Sequence, residues 1–183
     1  MSTYTPEQLS EILDLHTKWL RNDPTGQRAY LTDADLANAD LTRAYLTDAY
    51  LTRADLTDAN LIKTNLAGAD LTGADLTRAD LAYAILVDAN LSDANLANVR
   101  SFWGTVGNMA EVKSIQVDTW PVTYTSTHMQ IGCQLHPLSD WWAFDNKQIG
   151  RMDAKALDWW HTWKPILHTI IAASPATPTE HAE

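Results

Sequence analysis

The residues of this chain best placed to do chemistry are its aspartates. They recur at multiples of five residues, at Asp35, Asp40, Asp55, Asp70, Asp75 and Asp80. Acid–base catalysis by carboxylates needs two groups whose unlike surroundings hold their pKa values apart. Evenly repeated carboxylates share one kind of surroundings, which points away from catalysis and toward a charged surface. Cys133 and His136 are close in sequence, and His128 and His161 could join them. A thiolate–imidazole pair or a zinc site would use such residues. Zinc sites carry tighter paired spacings, however, and Cys133 following Gly132 reads instead as a small buried core residue. The stretch FWGTVGNM has two glycines and no following Lys-Ser or Lys-Thr, so it is no phosphate loop. The expectation is therefore a protein without catalytic residues, cofactor or metal.

The second group is aromatic. Trp141, Trp142, Trp159, Trp160 and Trp163 crowd the C-terminal part, and seven of the eight tryptophans lie from Trp103 onward. Indoles can stack on a small molecule or nucleobase. They can equally form the core of a small α+β cap, and the two roles are compatible.

Composition narrows the classes. The 183 residues carry a formal net charge of −10. Direct nucleic-acid binding needs Lys and Arg to displace counterions, so it is not expected. An acidic surface suits a basic partner instead. One cysteine excludes an internal disulfide framework, as in a reducing cytoplasm. The N-terminal MSTYTPEQLSEILDLH has no basic segment followed by an apolar one, so no secretory leader is expected. No run reaches the 18 or so apolar residues of a membrane helix.

The elements that position these residues come from a repeat. From Ala29 the chain reads AYLTD ADLAN ADLTR AYLTD AYLTR ADLTD ANLIK TNLAG ADLTG ADLTR ADLAY AILVD ANLSD ANLAN, fourteen units ending at Asn98, with VRSFW as a degraded fifteenth. Leu holds the third place of all fourteen units, and Ala the first place of all but one, where Thr64 stands. A period of five fits neither a helix nor a flat strand. All the leucines point inward only if the backbone turns about 90° per unit, with four units to a coil and coils stacked at the strand spacing of about 4.8 Å.

This pattern resembles the pentapeptide repeat family, with its A(D/N)LXX consensus. The resemblance implies a mainly β fold, a right-handed quadrilateral β-helix of about three and a half coils over residues 29–103. Some members of that family act as DNA mimics that bind DNA gyrase with an acidic rod. The overall layout, with IGCQLHPLSDWW near the end, resembles a subgroup from bacteria and their phages.

Four units per coil assign the surface. One face stacks Asp35, Asp55, Asp75 and Asn95, with Asp58 and Arg78 alongside; Asp35, Asp55, Asp58 and Asp75 are the candidate partner-binding residues. Tyr30, Tyr45 and Tyr50 depart from the consensus and are expected under the N-terminal helix. That helix spans about residues 5–21 within an N-terminal cap over 1–28, begins at Thr5 and Pro6, and carries an apolar stripe of Leu9, Ile12, Leu13, His16, Trp19 and Leu20. Residues 104–174 read as an α+β region. Its strands fall near Val112–Val117, Val122–Thr125 and Met129–Gly132, and its helices near Leu138–Phe144 and Ala154–Ala173, the latter kinked or broken at Pro165. Residues 175–183 read as a disordered tail.

The functional expectation is a non-enzymatic cytoplasmic interaction protein, monomeric or homodimeric. Its acidic surface would meet a protein partner, DNA gyrase or another DNA-binding protein. The alternative is a small-molecule or nucleotide binder that uses the C-terminal aromatic residues.

Overall fold

A computed structural model describes residues 1–108, 110–115 and 119–177. In each repeat the amide after the unit donates back to its leucine carbonyl, as Ala49 N–H does to Leu46 O at 3.1 Å. This closes a β-turn whose third residue has positive φ, between 54° and 67° from Asp33 to Gly104. One tight turn per five residues bends the chain into a four-sided coil. Parallel bridges twenty residues apart stack the coils, pairing Tyr30 with Tyr50, Asp35 with Asp55, Asp40 with Asn60 and Tyr45 with Asn65, and continuing upward from each. The leucines from Leu31 to Leu91, at five-residue steps, are each at most 3% exposed and fill the interior beside the alanines.

The coil does not end at residue 103. The bridges Asp80 to Ser101 and Ile85 to Val106 are twenty-one residues apart. Arg100 N–H donates to Ala79 O while Ser101 O accepts from Leu81 N–H. Two residues thus oppose one, which is a β-bulge. The bulge passes the inward place to Phe102, 2% exposed. Thr105 then repeats what Thr64 does a little over two coils earlier: each buried hydroxyl donates to a leucine carbonyl of the coil below, Leu81 and Leu41 respectively.

Both open ends are covered. Strand β1 (Ser2–Thr3) pairs in parallel with β2 (Ala34–Asp35) and adds a short lower layer. Helix α1 (Pro6–Leu20) starts with a capping box in which Gln8 N–H donates to Thr5 Oγ1 and Thr5 N–H to Gln8 Oε1. Its Leu9, Ile12 and Leu13 pack on the solenoid core. At the other end, β3 (Lys113–Ile115), β4 (Val122–Tyr124), β5 (His128–Ile131) and β6 (Gln134–Pro137) form an antiparallel sheet in that order. Buried Gln130 ties it to the last coil by accepting from Phe102 N–H, and Ser114 Oγ donates to Thr105 O at 2.6 Å. Helices α2 (Leu138–Ala143), α3 (Asn146–Ile149) and α4 (Ala156–Ala173) complete a second core.

Several expectations change here. β6 and α3 appear where the sequence suggested neither. Gln116 and Val117 of the first expected strand lie outside the described residues. α4 runs unbroken through Pro165. The carbonyl that the proline leaves without a helical donor belongs to His161, an exposed residue of α4. The tail is ordered at its start: Ala176 is buried, and Thr177 N–H donates to Ala110 O at 3.0 Å. Residues 178–183 of the expected disordered segment lie outside the described residues.

Candidate interaction surface

The aspartate ladder has a structural job that its spacing alone did not reveal. Asp35 Oδ1 accepts from Ala37 N–H at 3.2 Å, Asp55 Oδ1 from Thr57 N–H at 2.9 Å and Asp75 Oδ1 from Thr77 N–H at 2.9 Å. Asp40, Asp70 and Asp80 do the same two residues on. So do Asn60, Asn65, Asn90 and Asn95, and Ser101 through its hydroxyl. This is the Asx-turn, in which a short side-chain acceptor satisfies a backbone donor in the turn. Any acceptor of that reach suffices, so the fold asks for the oxygen and not for the charge.

The charge is therefore surplus to the turn. Residues 29–106 hold eleven aspartates against five lysines and arginines. Among the described residues two carboxylates form ion pairs. Arg53 reaches down one coil to Asp33 at 2.8 Å, and Arg78 to Asp58 at 2.6 Å. These guanidinium bonds hold the Asp33 and Asp58 carboxyls below the ordinary aspartate range. Asp70 is also held low, mainly by the Thr72 hydroxyl. Asp35, Asp55 and Asp75 are half-buried and stacked on one face, with Asp58 beside them already engaged by Arg78.

Where tyrosine or an aliphatic residue replaces Asp or Asn, the turn loses its acceptor and the surface becomes apolar. Tyr30 and Tyr45 are 69% and 59% exposed, so α1 does not cover them as expected. Tyr50 alone of the three is held at the N-terminal cap, beneath the Arg28 guanidinium at 3.9 Å from its ring. Ile85, Val87 and Val106 form an exposed apolar patch at the C-terminal end of one side, and Tyr45 stands apart from it, two coils below Ile85 with Asn65 between. The repeat-by-repeat departure from Asp or Asn was the sequence signal for it.

The tryptophans divide by depth. Trp141, Trp159 and Trp160 are buried, while Trp142 and Trp163 are partly so and pack around them. Trp141 Nε1–H donates to Met129 O at 2.6 Å. All five are core residues first, but Trp141, Trp159 and Trp160, with Trp120, also line a cavity of about 80 Å³ between the β5–β6 turn and α4. Drug-sized ligands occupy about 300–1,000 Å³, so a nucleotide does not fit there. The Cys–His idea finds no support. His136 packs edge-on against Trp141 and Phe144, His161 Nε2 meets Asn146 Oδ1, and His128 Nδ1 meets Thr127 Oγ1. Among the described residues no three His, Cys, Asp or Glu side chains converge as metal ligands. No helix of the described residues is long and apolar enough to cross a membrane.

Comparison with known proteins bears on the solenoid. The family model "Pentapeptide repeats" matches eight copies, over residues 27–61 and 59–98. A pentapeptide repeat protein from the thylakoid lumen of Arabidopsis thaliana is 34% identical over 42% of this chain and 52% of its own, with a TM-score of 0.41. The chain thus spans about half the length of that relative. A pentapeptide repeat protein from Nostoc PCC 7120 is 30% identical over 58% of this chain and 77% of its own, with a TM-score of 0.48. QnrB1, a plasmid-mediated fluoroquinolone resistance protein, is 22% identical over 44% and 46%, with a TM-score of 0.23. No curated protein sequence matches.

Proposed function

The chain belongs to the pentapeptide repeat family, and on that premise we propose that it is a non-enzymatic interaction module whose solenoid offers carboxylates to a basic protein partner. One observation carries the reading. The Asx place is filled by aspartate at six positions where asparagine would serve the turn equally. The chain thus holds negative charge that its fold does not require. Stacked one coil apart, about 4.8 Å, Asp35, Asp55 and Asp75 give a short column of anionic oxygens on a rigid scaffold. A protein that normally binds the closely spaced phosphates of DNA is the partner such a column suits, and DNA gyrase in a bacterial cytoplasm is the first to test. The column is only three carboxylates long, so the footprint matches a few base pairs rather than a full DNA site. The distant likeness to QnrB1 contributes nothing to this reading.

The test uses the triple variant Asp35/Asp55/Asp75→Asn, which removes three charges and keeps every turn acceptor. Purified gyrase is assayed for DNA binding with increasing amounts of either protein, at low and high salt. The reading expects the wild type to compete with DNA, the variant to compete at least tenfold less well, and salt to weaken the competition. A bacterial lysate passed over both immobilised proteins extends the search to other DNA-binding partners. Equal behaviour of the two proteins in both assays removes the acidic column from the account.

A further inference from the structure

We propose that the C-terminal region binds a methylated ammonium group in the cavity between the β5–β6 turn and α4, a role separate from that of the acidic column. Four indoles line this cavity: Trp120, Trp141, Trp159 and Trp160. They are set at angles to one another. Trp120 meets Trp159 edge to face at 71° with centroids 5.3 Å apart, and Trp141 is tilted by 42° to Trp160, also at 5.3 Å. Neither pair is a parallel stack, so the four rings present differently oriented surfaces to the cavity they line. Exposed Asp153 is the only formally charged residue among the described residues that line it. One of its oxygens accepts from Lys155 N–H at 2.8 Å, which fixes the carboxylate at the head of α4.

The chemistry of the lining selects the ligand class. Indole faces attract cations through the ring quadrupole, and a wall of aromatics is how quaternary ammonium groups are recognised. The carboxylate favours the same sign of charge. An anion would meet Asp153 and, among the described lining residues, no lysine, arginine or histidine. The size is consistent, since about 80 Å³ admits one compact group and no more. The same core already uses this interaction: Lys164 Nζ lies 5.4 Å from the Trp160 ring centroid and donates to Trp142 O. The opening depends on the β5–β6 turn, where Gly132 has φ of +56° and a Cβ would lie 3.0 Å from Trp120 Cδ1. A side chain there would press Trp120 into the cavity.

The probes are choline and its uncharged carbon isostere, dimethylbutanol, titrated into the full chain by calorimetry and tryptophan fluorescence. Choline is expected to bind and quench, with the isostere at least tenfold weaker. Asp153→Asn retains the bond to Lys155 and lies on the surface, so it preserves the fold; it is expected to weaken choline at least threefold. Gly132→Ala, which sets one methyl group against Trp120, is expected to weaken choline at least threefold while the circular dichroism spectrum stays native. No binding of choline overturns the proposal. Equal binding of choline and isostere also overturns it, since the cavity would then be only an apolar hole that takes an uncharged side chain.

Discussion

The corners of the solenoid share a left-handed backbone at the fifth place of the unit and, except where Tyr30, Tyr45, Tyr50 and Ile85 stand, a side-chain acceptor at the second. The fifth-place requirement gives a direct prediction. Gly68 has φ of +65°, and a Cβ there would run against the Asp48 carboxylate. Gly68→Ala is therefore expected to lose roughly 1 kcal/mol in urea unfolding, the cost of holding an L-residue left-handed. Unchanged stability would mean that the turn adopts another geometry. A second residue-scale prediction concerns His16. It is fully buried, its Nδ1 accepts from Ala29 N–H at 3.1 Å, and its Nε2 has no hydrogen-bond partner. Burial holds its pKa below the ordinary histidine value, aided by nearby Arg28 and opposed by the Thr47 backbone and Asp48. The unfolded chain then binds the proton more readily, so stability falls as pH drops below about 6.5. The aspartates with lowered values act only nearer pH 4, leaving a separate window for the histidine. Thermal melts between pH 7 and 5 should show this loss in the wild type and its absence in His16→Gln; the same loss in both would assign the effect elsewhere. The alternation of Asp and Asn was plain in the sequence. Its Asx-turn meaning was available from the two-residue reach to a backbone N–H, but the eye goes first to the charge.

At the scale of elements, inward packing decides most of what forms. Leu56 is fully buried between coils, and Leu56→Ala is expected to destabilise by about 2–5 kcal/mol through lost transfer energy and the cavity left behind. A loss below 1 kcal/mol in equilibrium unfolding would contradict the inward assignment. Helix α1 holds Leu9, Ile12 and Leu13 on the end of the same core. Leu13→Asp should accordingly loosen the N-terminal coil first, seen as faster amide exchange near Leu31 with slower change near Leu81. The strict period made the solenoid legible, because every leucine repeats the same instruction. The bulge at Arg100 was not legible: VRSFW keeps the count of five, and only the register against Asp80 shows that Phe102, not Ser101, turns inward. β6 was hidden for a similar reason. Gln134–Pro137 contains a proline and no long apolar run, and it becomes a strand because β5 offers it a partner. Pro165 lacks the N–H of a helical residue and so predicts a kink or break, yet α4 runs on through it where Pro165 and His161 are both exposed.

The whole molecule is an acidic four-sided rod closed at one end by a helix and at the other by an aromatic α+β cap. Its surface charge is distributed on a lattice that the backbone fixes, so the charge can be changed without moving the lattice. The repeat made the stacking of Asp35, Asp55 and Asp75 legible, but the hydrogen bond each accepts from its turn, and the pairing of Asp58 with Arg78, came only from the geometry. The claim that matters most is that Asp35, Asp55 and Asp75 give an oxygen to the fold and a charge to something else. Equilibrium unfolding of two triple variants, one to Asn and one to Ala, tests it directly. The account predicts that the Asn variant matches or slightly exceeds the wild type, since three stacked like charges are gone. It predicts that the Ala variant loses roughly 0.5–1.5 kcal/mol at each site, the usual worth of a lost hydrogen bond. If the Asn variant falls as far as the Ala variant, the charge itself holds the fold together, and the surplus on which the proposed interaction rests does not exist.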